Sequence, residues 1–199
     1  LDEEEKIGYD IDTIAPWKLH GYTPFGRNTG LAGGDKKHGV EAYTVSEEGF
    51  FTSKHRPSEP STTCLLLLRY ATLDVGIPQT GLAPHTDVGT LTILFSDKKG
   101  LQARHPLTHE WRYLDPKEGC AVINVGDSLR FLSEKGFQSA LHRVVPSADA
   151  TIDNRFSCAY FLRPELDAEF DAEGQHWKSI DWHLRKYKSY RSGQTGKTE

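Results

Sequence analysis

The chain has 199 residues, 24 Lys and Arg against 28 Asp and Glu, and a formal net charge of −4. That is one domain's worth of sequence, and with 37% hydrophobic and 11% aromatic residues it is too rich in apolar side chains to stay disordered. No apolar run approaches the ~20 residues of a membrane helix, and the acidic start Asp2-Glu3-Glu4-Glu5 is unlike a secretory leader. Mild acidity argues against a dedicated nucleic-acid binder, so a small-molecule partner is expected, with no membrane and no nucleic acid.

Residues 1–62 read as an irregular or helical flanking region, incomplete relative to a whole domain and rich in Gly and charge. Gly30-Leu-Ala-Gly-Gly34 lacks the order of a phosphate-binding loop and is expected to be a plain loop. Tyr22, Phe25 and Tyr43 are expected to pack onto the domain that follows, and 56–61, with two prolines, is punctuation. Residues 63–165 change character. Short apolar runs separated by Gly, Pro, Asp and Asn predict strands at 65–70, 90–95, 101–103, 121–125, 142–145 and 156–162. Many short strands with tight turns predict a mainly β fold, a sandwich, jelly roll or barrel. Residues 166–199 return to helical period at Ile180, Leu184 and Tyr187, predicting a helix against the outside of the β-domain. Cys64, Cys120 and Cys158 are odd in number and outside any C-x-x-C spacing, which reads as three reduced, buried thiols in a cytoplasmic setting. The chain does not begin with Met and contains none, so it is expected to be part of a longer one.

His85-Thr86-Asp87 opens one of these strands. Side chains at i and i+2 project to the same side, so His85 and Asp87 can meet one ion together. His142, heading the apolar strand at Val144, is the best third ligand. Two imidazoles and one carboxylate leave open coordination positions and suit non-haem Fe(II) oxygen chemistry. Arg155 and Ser157 form a second i, i+2 pair, placed to fork onto a carboxylate. A lone H-x-D carries little weight in a chain with nine His. The order is what informs: H-x-D, a distant His, then R-x-S, all in expected β-structure. Asn124 and Asp127 are read as turn builders, and His105 and His109 as solvated residues of a hairpin tip.

Together Leu68-Arg-Tyr70, 85–94, Gly100-Leu-Gln102, Val122-Ile-Asn-Val-Gly-Asp127, His142-Arg-Val-Val145 and Arg155-Phe-Ser157 resemble the isopenicillin N synthase-like branch of the Fe(II)/2-oxoglutarate-dependent dioxygenases, in its fungal form. The resemblance implies a double-stranded β-helix, or jelly roll, with flanking helices. It implies iron held by His85, Asp87 and His142, and 2-oxoglutarate held by Arg155 and Ser157, with Tyr70 contributing. O2 would be the co-substrate and ascorbate a supporting reductant. It further implies oxidation of a small-molecule C–H bond in specialised metabolism, with release of succinate and CO2. Phe161, beyond Ser157 on the same strand face, is the candidate substrate contact, with Leu94 and Val144 as further dry walls. Two departures stand out. Many relatives have Asn-x-Tyr where this chain has Leu68-Arg69-Tyr70, and the strand-and-helix region the family places before the barrel is short here.

Other readings use the same residues. An oxidase would use the iron without 2-oxoglutarate, and a metal-binding jelly roll would have no turnover. A nucleic-acid demethylase usually carries a second Arg six residues after the first, where this chain has Phe161. Oligomeric state and the particular substrate stay open.

Overall fold

The computed structural model describes residues 3–8, 10–14, 21–24, 40–46, 54–56, 58–70, 81–134, 136–145 and 154–192. Two short helices, α1 (Glu3–Ile7) and α2 (Ile11–Ile14), precede strands β1 (Gly21–Thr23), β2 (Val40–Ser46), β3 (Cys64–Tyr70), β4 (Leu82–His85), β5 (Leu91–Ser96), β6 (Leu101–Arg104), β7 (Trp111–Tyr113) and β8 (Val122–Val125). Helix α3 (Asp127–Leu132), strands β9 (His142–Val144), β10 (Arg155–Leu162), β11 (Glu169–Ala172) and β12 (Gln175–Lys178), and helix α4 (Ser179–Ser192) complete the chain. A six-stranded antiparallel sheet in the order β1-β2-β3-β10-β5-β8 and a four-stranded sheet β4-β9-β6-β7 both turn side chains into one cavity, the jelly-roll arrangement.

Strand alternation builds that cavity. From β10, Arg155, Ser157, Ala159 and Phe161 face inward, and Leu66, Leu68 and Tyr70 do so from β3. Leu68, Tyr70, Leu101 and Val144 form the buried core between the sheets. The opposite face of the large sheet is apolar too: Leu67, Phe95, Ile123 and Phe156 are each about half exposed or more. A second core gathers Phe170, Ala172 and Trp182, with Phe131 and Trp177 packed edge-on around the Trp182 indole.

Every expected strand forms, within one residue at each end. The irregular or helical flanking region expected at 1–62 contains the helices α1 and α2 and also strand β2, which pairs with β3 along its whole length and extends the large sheet. The backbone groups along β3 need partners, and β2 supplies them although its sequence alternates only weakly. The expected C-terminal helix is preceded by a hairpin, β11–β12, turned at Glu173 and Gly174, both with positive φ. Cys120 is exposed, correcting its reading as buried, while Cys64 is buried and Cys158 half-buried, all three as free thiols. Tyr22 is buried. The loop at 30–34, Phe25 and the side chain of Tyr43 lie outside the described residues. Among the described residues no helix is long and apolar enough to cross a membrane.

The segment read as punctuation is tied down by one ion pair. Arg56 donates to the buried Glu165 carboxylate from Nε (2.9 Å), Nη2 (2.5 Å) and its backbone N–H (2.9 Å). The hydrogen bonds from Arg56 pull the Glu165 carboxyl from 4.5 down to about 2. A folded value below the unfolded one means stability that is complete above about pH 4.5 and is lost as pH falls toward 2. Glu165→Gln is therefore expected to melt below the wild type at pH 7. The gap should close between pH 4.5 and 2, and thermal melts across that range check it.

Candidate metal and anion site

Antiparallel pairing of β4 with β9 sets His85 directly opposite His142, with ring centroids 4.3 Å apart. Asp87 follows two residues after His85, and its Oδ1 lies 3.5 Å from Nε2 of each imidazole. The three candidate ligand atoms all lie within 4.8 Å of one another. His85 and Asp87 are buried and His142 nearly so.

Each ring is oriented through its other nitrogen. His85 Nδ1 bonds the Ala83 carbonyl oxygen at 2.8 Å, and His142 Nδ1 bonds that of Ala140 at 2.9 Å. A carbonyl oxygen only accepts, so Nδ1 carries a proton in both rings and Nε2 is the atom each ring turns toward Asp87. A positive charge among these three atoms, whether a metal ion or a proton on an imidazole, is what lets them converge on the Asp87 carboxylate. Asp87 is held in place as well, because its Oδ2 accepts from Thr92 Oγ1 at 2.6 Å and from Asn124 Nδ2 at 2.8 Å, leaving Oδ1 for the cation. Burial opposes the charge on Asp87, but the His142 and His85 rings and the Asn124 amide outweigh it and hold the carboxyl well below the usual range. Burial, with His85 beside it, pushes the His142 imidazole below 6.5 and favours the neutral form that binds metal. The donor set of two imidazole nitrogens and one carboxylate oxygen fits Fe(II).

Close packing of glycines positions the Asp87 loop. A Cβ on Gly126 would come within 2.2 Å of the Gly89 carbonyl oxygen, and one on Gly89 within 2.4 Å of that of Leu162. Only residues without a side chain allow β8, the Asp87 loop and the end of β10 to approach so closely.

Arg155 and Ser157 lie on the inward face of β10 at 8% and 7% exposure. Arg155 Nε donates to the Lys98 carbonyl at 3.0 Å, and its guanidinium lies 4.9 Å from the centre of the Tyr70 ring. Nη1 and Nη2 of Arg155 and Oγ of Ser157 are buried with no hydrogen-bond partner. A buried guanidinium with two orphaned nitrogens is costly unless an anion completes it. Burial raises the Tyr70 phenol above its ordinary value, with Arg155 partly offsetting this, so Tyr70 presents a neutral hydroxyl. All six of these candidates, and Phe161, line one cavity of about 260 Å³, together with Leu94 and Val144.

Several functional neighbours escaped the sequence reading. Asn124 lies within β8, where it bonds Asp87, and Asp127 opens α3 and pairs with Lys186, so neither is merely a turn residue. Helix α4 packs on the core, and its inner face reaches the cavity instead of covering only the outer wall of the β-domain. His183, Lys186, Tyr187 and Tyr190 line the cavity, and the Tyr190 ring stands edge-on to His85 at 5.2 Å. The signal was the stripe of Trp182, Lys186 and Tyr190 at i, i+4 and i+8, since a Lys on a buried aromatic stripe requires an acidic partner. Lys186 Nζ meets Asp127 Oδ2 at 2.8 Å and Thr86 Oγ1, between the two neighbouring candidate ligands, at 3.0 Å. Lys186→Met is expected to cost about 3–5 kcal/mol in unfolding free energy by stranding the buried Asp127 charge. Adding Asp127→Asn should restore much of that loss, which chemical denaturation of both variants checks. His105 is half-buried at the β6–β7 tip and accepts backbone bonds from Leu107 and Thr108, whereas His109 is exposed.

Residues 62–164, just over half of the chain, match the model of the 2OG-Fe(II) oxygenase superfamily. The chain is 45% identical over 144 residues to the 2-oxoglutarate-dependent dioxygenase iboH of Amanita muscaria, covering 70% of this chain and 69% of that protein. It is 45% identical over 154 residues to the 2-oxoglutarate-dependent dioxygenase frbH of a Dothideomycetidae species, covering 75% of this chain but only 47% of that protein. The fold is similar to that of a full-length Neurospora crassa protein in complex with alpha-KG, with a TM-score of 0.73 at 20% identity over 94% of this chain and 77% of that one. It is also similar to a rice dioxygenase for auxin oxidation, with a TM-score of 0.69 at 20% identity over 96% of this chain and 78% of that one.

Proposed function

This chain belongs to the 2OG-Fe(II) oxygenase superfamily, and on that premise we propose that it is an Fe(II)- and 2-oxoglutarate-dependent oxygenase of a small molecule of specialised metabolism. It oxidises a substrate C–H bond, by hydroxylation, desaturation or ring formation, with release of succinate and CO2. One observation carries this reading: two orphaned guanidinium nitrogens and an orphaned hydroxyl face the same cavity as a His, Asp, His cluster.

In this reading His85, Asp87 and His142 hold the iron, and bound iron with 2-oxoglutarate supplies the oxidising chemistry from O2. The chain's own groups bind and orient. Arg155 takes the distal carboxylate through Nη1 and Nη2, Ser157 Oγ donates a third bond, and the Tyr70 ring backs the guanidinium. Thr92 and Asn124 keep Oδ1 of Asp87 turned to the metal, and Leu94, Val144 and Phe161 exclude water from the reacting region. Substrate and 2-oxoglutarate share this one cavity of about 260 Å³. Free thiols fit a reducing, cytoplasmic setting. Succinate and 14C-labelled CO2 release from labelled 2-oxoglutarate, measured beside O2 uptake, tests the function. O2 uptake without succinate would favour an oxidase, and neither would favour a non-catalytic protein.

A further inference from the structure

The inward face of β10, followed one residue past the strand's end, carries two guanidinium groups, and the proposed function uses only Arg155. Two positions beyond Phe161 on that face is Arg163, which also lines the cavity. Its Nη1 donates to the Thr62 carbonyl at 2.7 Å and its guanidinium lies 5.2 Å from the centre of the Phe161 ring. Its Nε is buried and has no partner. Among the described residues no carboxylate pairs with Arg163, unlike Lys186, whose charge is met by Asp127.

Register places the two groups at opposite ends of β10, with Arg163 at the end that adjoins Asp87. Arg155 pairs with Tyr70 at one end of β10, whereas Phe161 pairs with Thr92, whose hydroxyl holds Asp87. Arg163 is the next inward position, roughly 7 Å further along the chain. Its stem runs against the Asp87 loop, since a Cβ on Gly89 would come within 2.7 Å of Arg163 Cγ. Charge accounting then singles it out. One Fe(II), the Asp87 carboxylate, a 2-oxoglutarate dianion and Arg155 together sum to zero, which leaves Arg163 as a cation without a counter-charge on the substrate side.

We propose that Arg163 is the anchor for a carboxylate on the primary substrate, so that this oxygenase acts on small carboxylic acids; the inference rests on the iron and 2-oxoglutarate reading above. A planar fork held against an aromatic ring, with a free Nε, suits a carboxylate better than a neutral oxygen. Phe161 then contacts the substrate indirectly as well, by fixing the guanidinium.

The test measures binding by calorimetry, without O2, on protein loaded with Mn(II) and saturating 2-oxoglutarate. Phenylacetate is compared with phenylacetamide, and hexanoate with hexanamide. Each acid is expected to bind roughly tenfold or more tightly than its amide, the size of one charge-assisted pair. The preference should vanish in Arg163→Gln, with 2-oxoglutarate affinity held. Acids that bind no better than their amides, or not at all, overturn the proposal, as does an acid preference that survives Arg163→Gln. Should that variant fail to fold, Arg163→Lys decides: a preference cut at least threefold supports the anchor, and an unchanged one overturns it. Failure of the wild type to bind 2-oxoglutarate would bring down the underlying reading, whereas absent acid preference on protein that does bind it brings down the anchor alone.

Discussion

Replacing His85 with Ala is expected to abolish turnover and to weaken Fe(II) binding more than ~100-fold, because changes to groups that merely support a metal ligand already cost 10–100-fold. His85 supplies one of three converging donors, and its removal leaves one imidazole and one carboxylate, too few to hold a labile divalent ion against water. The fold should persist, since the ring's bond to the backbone runs to Ala83, only two residues away. Calorimetric titration with Fe(II) under argon, beside circular dichroism, separates the two effects. Wild-type iron affinity in this variant would remove the metal role from the site.

The second large effect is expected at Arg155. Truncating one partner of a buried charge pair costs about 2–5 kcal/mol, so Arg155→Met should raise the 2-oxoglutarate requirement roughly 30-fold or more. Fold stability without 2-oxoglutarate should change little. In the wild type two guanidinium nitrogens are already buried without partners, and the variant relieves that penalty while it loses the Nε bond to Lys98. A purely structural Arg155 predicts the reverse: a lower melting temperature and an unchanged 2-oxoglutarate requirement. Melting curves and initial rates against 2-oxoglutarate concentration distinguish these patterns.

The central strands were legible because their ends are marked chemically. Gly, Pro, Asp and Asn break the chain between short apolar runs, and residues 90–93 alternate with the period of a strand, although the buried side is the one carrying Thr90 and Thr92. The convergence of His85, Asp87 and His142 was legible as spacing and order, although its geometry depends on β4 pairing with β9, which no local pattern announces. β2 was hidden because its weak alternation sits among Gly and charge, and its pairing is decided by the backbone needs of β3. α4 was found but turned the wrong way. Ile180, Leu184 and Tyr187 make an apolar stripe, yet the buried side is the one carrying Trp182, His183 and Lys186, because the Asp127 carboxylate offsets the burial of Lys186. Asn124 passed for a turn residue since N-V-G-D is turn-rich in composition; its amide is instead what orients Asp87.

The most direct test is a crystal grown and soaked without O2 in Fe(II) and 2-oxoglutarate, with anomalous scattering collected at the iron edge. The account predicts a single peak at about 2.0–2.2 Å from His85 Nε2, His142 Nε2 and Asp87 Oδ1, distances typical of such donors to a divalent metal, and a carboxylate seated on Nη1 and Nη2 of Arg155. Iron bound elsewhere, or an Arg155 that still faces no anion when the ligand is saturating, would contradict it.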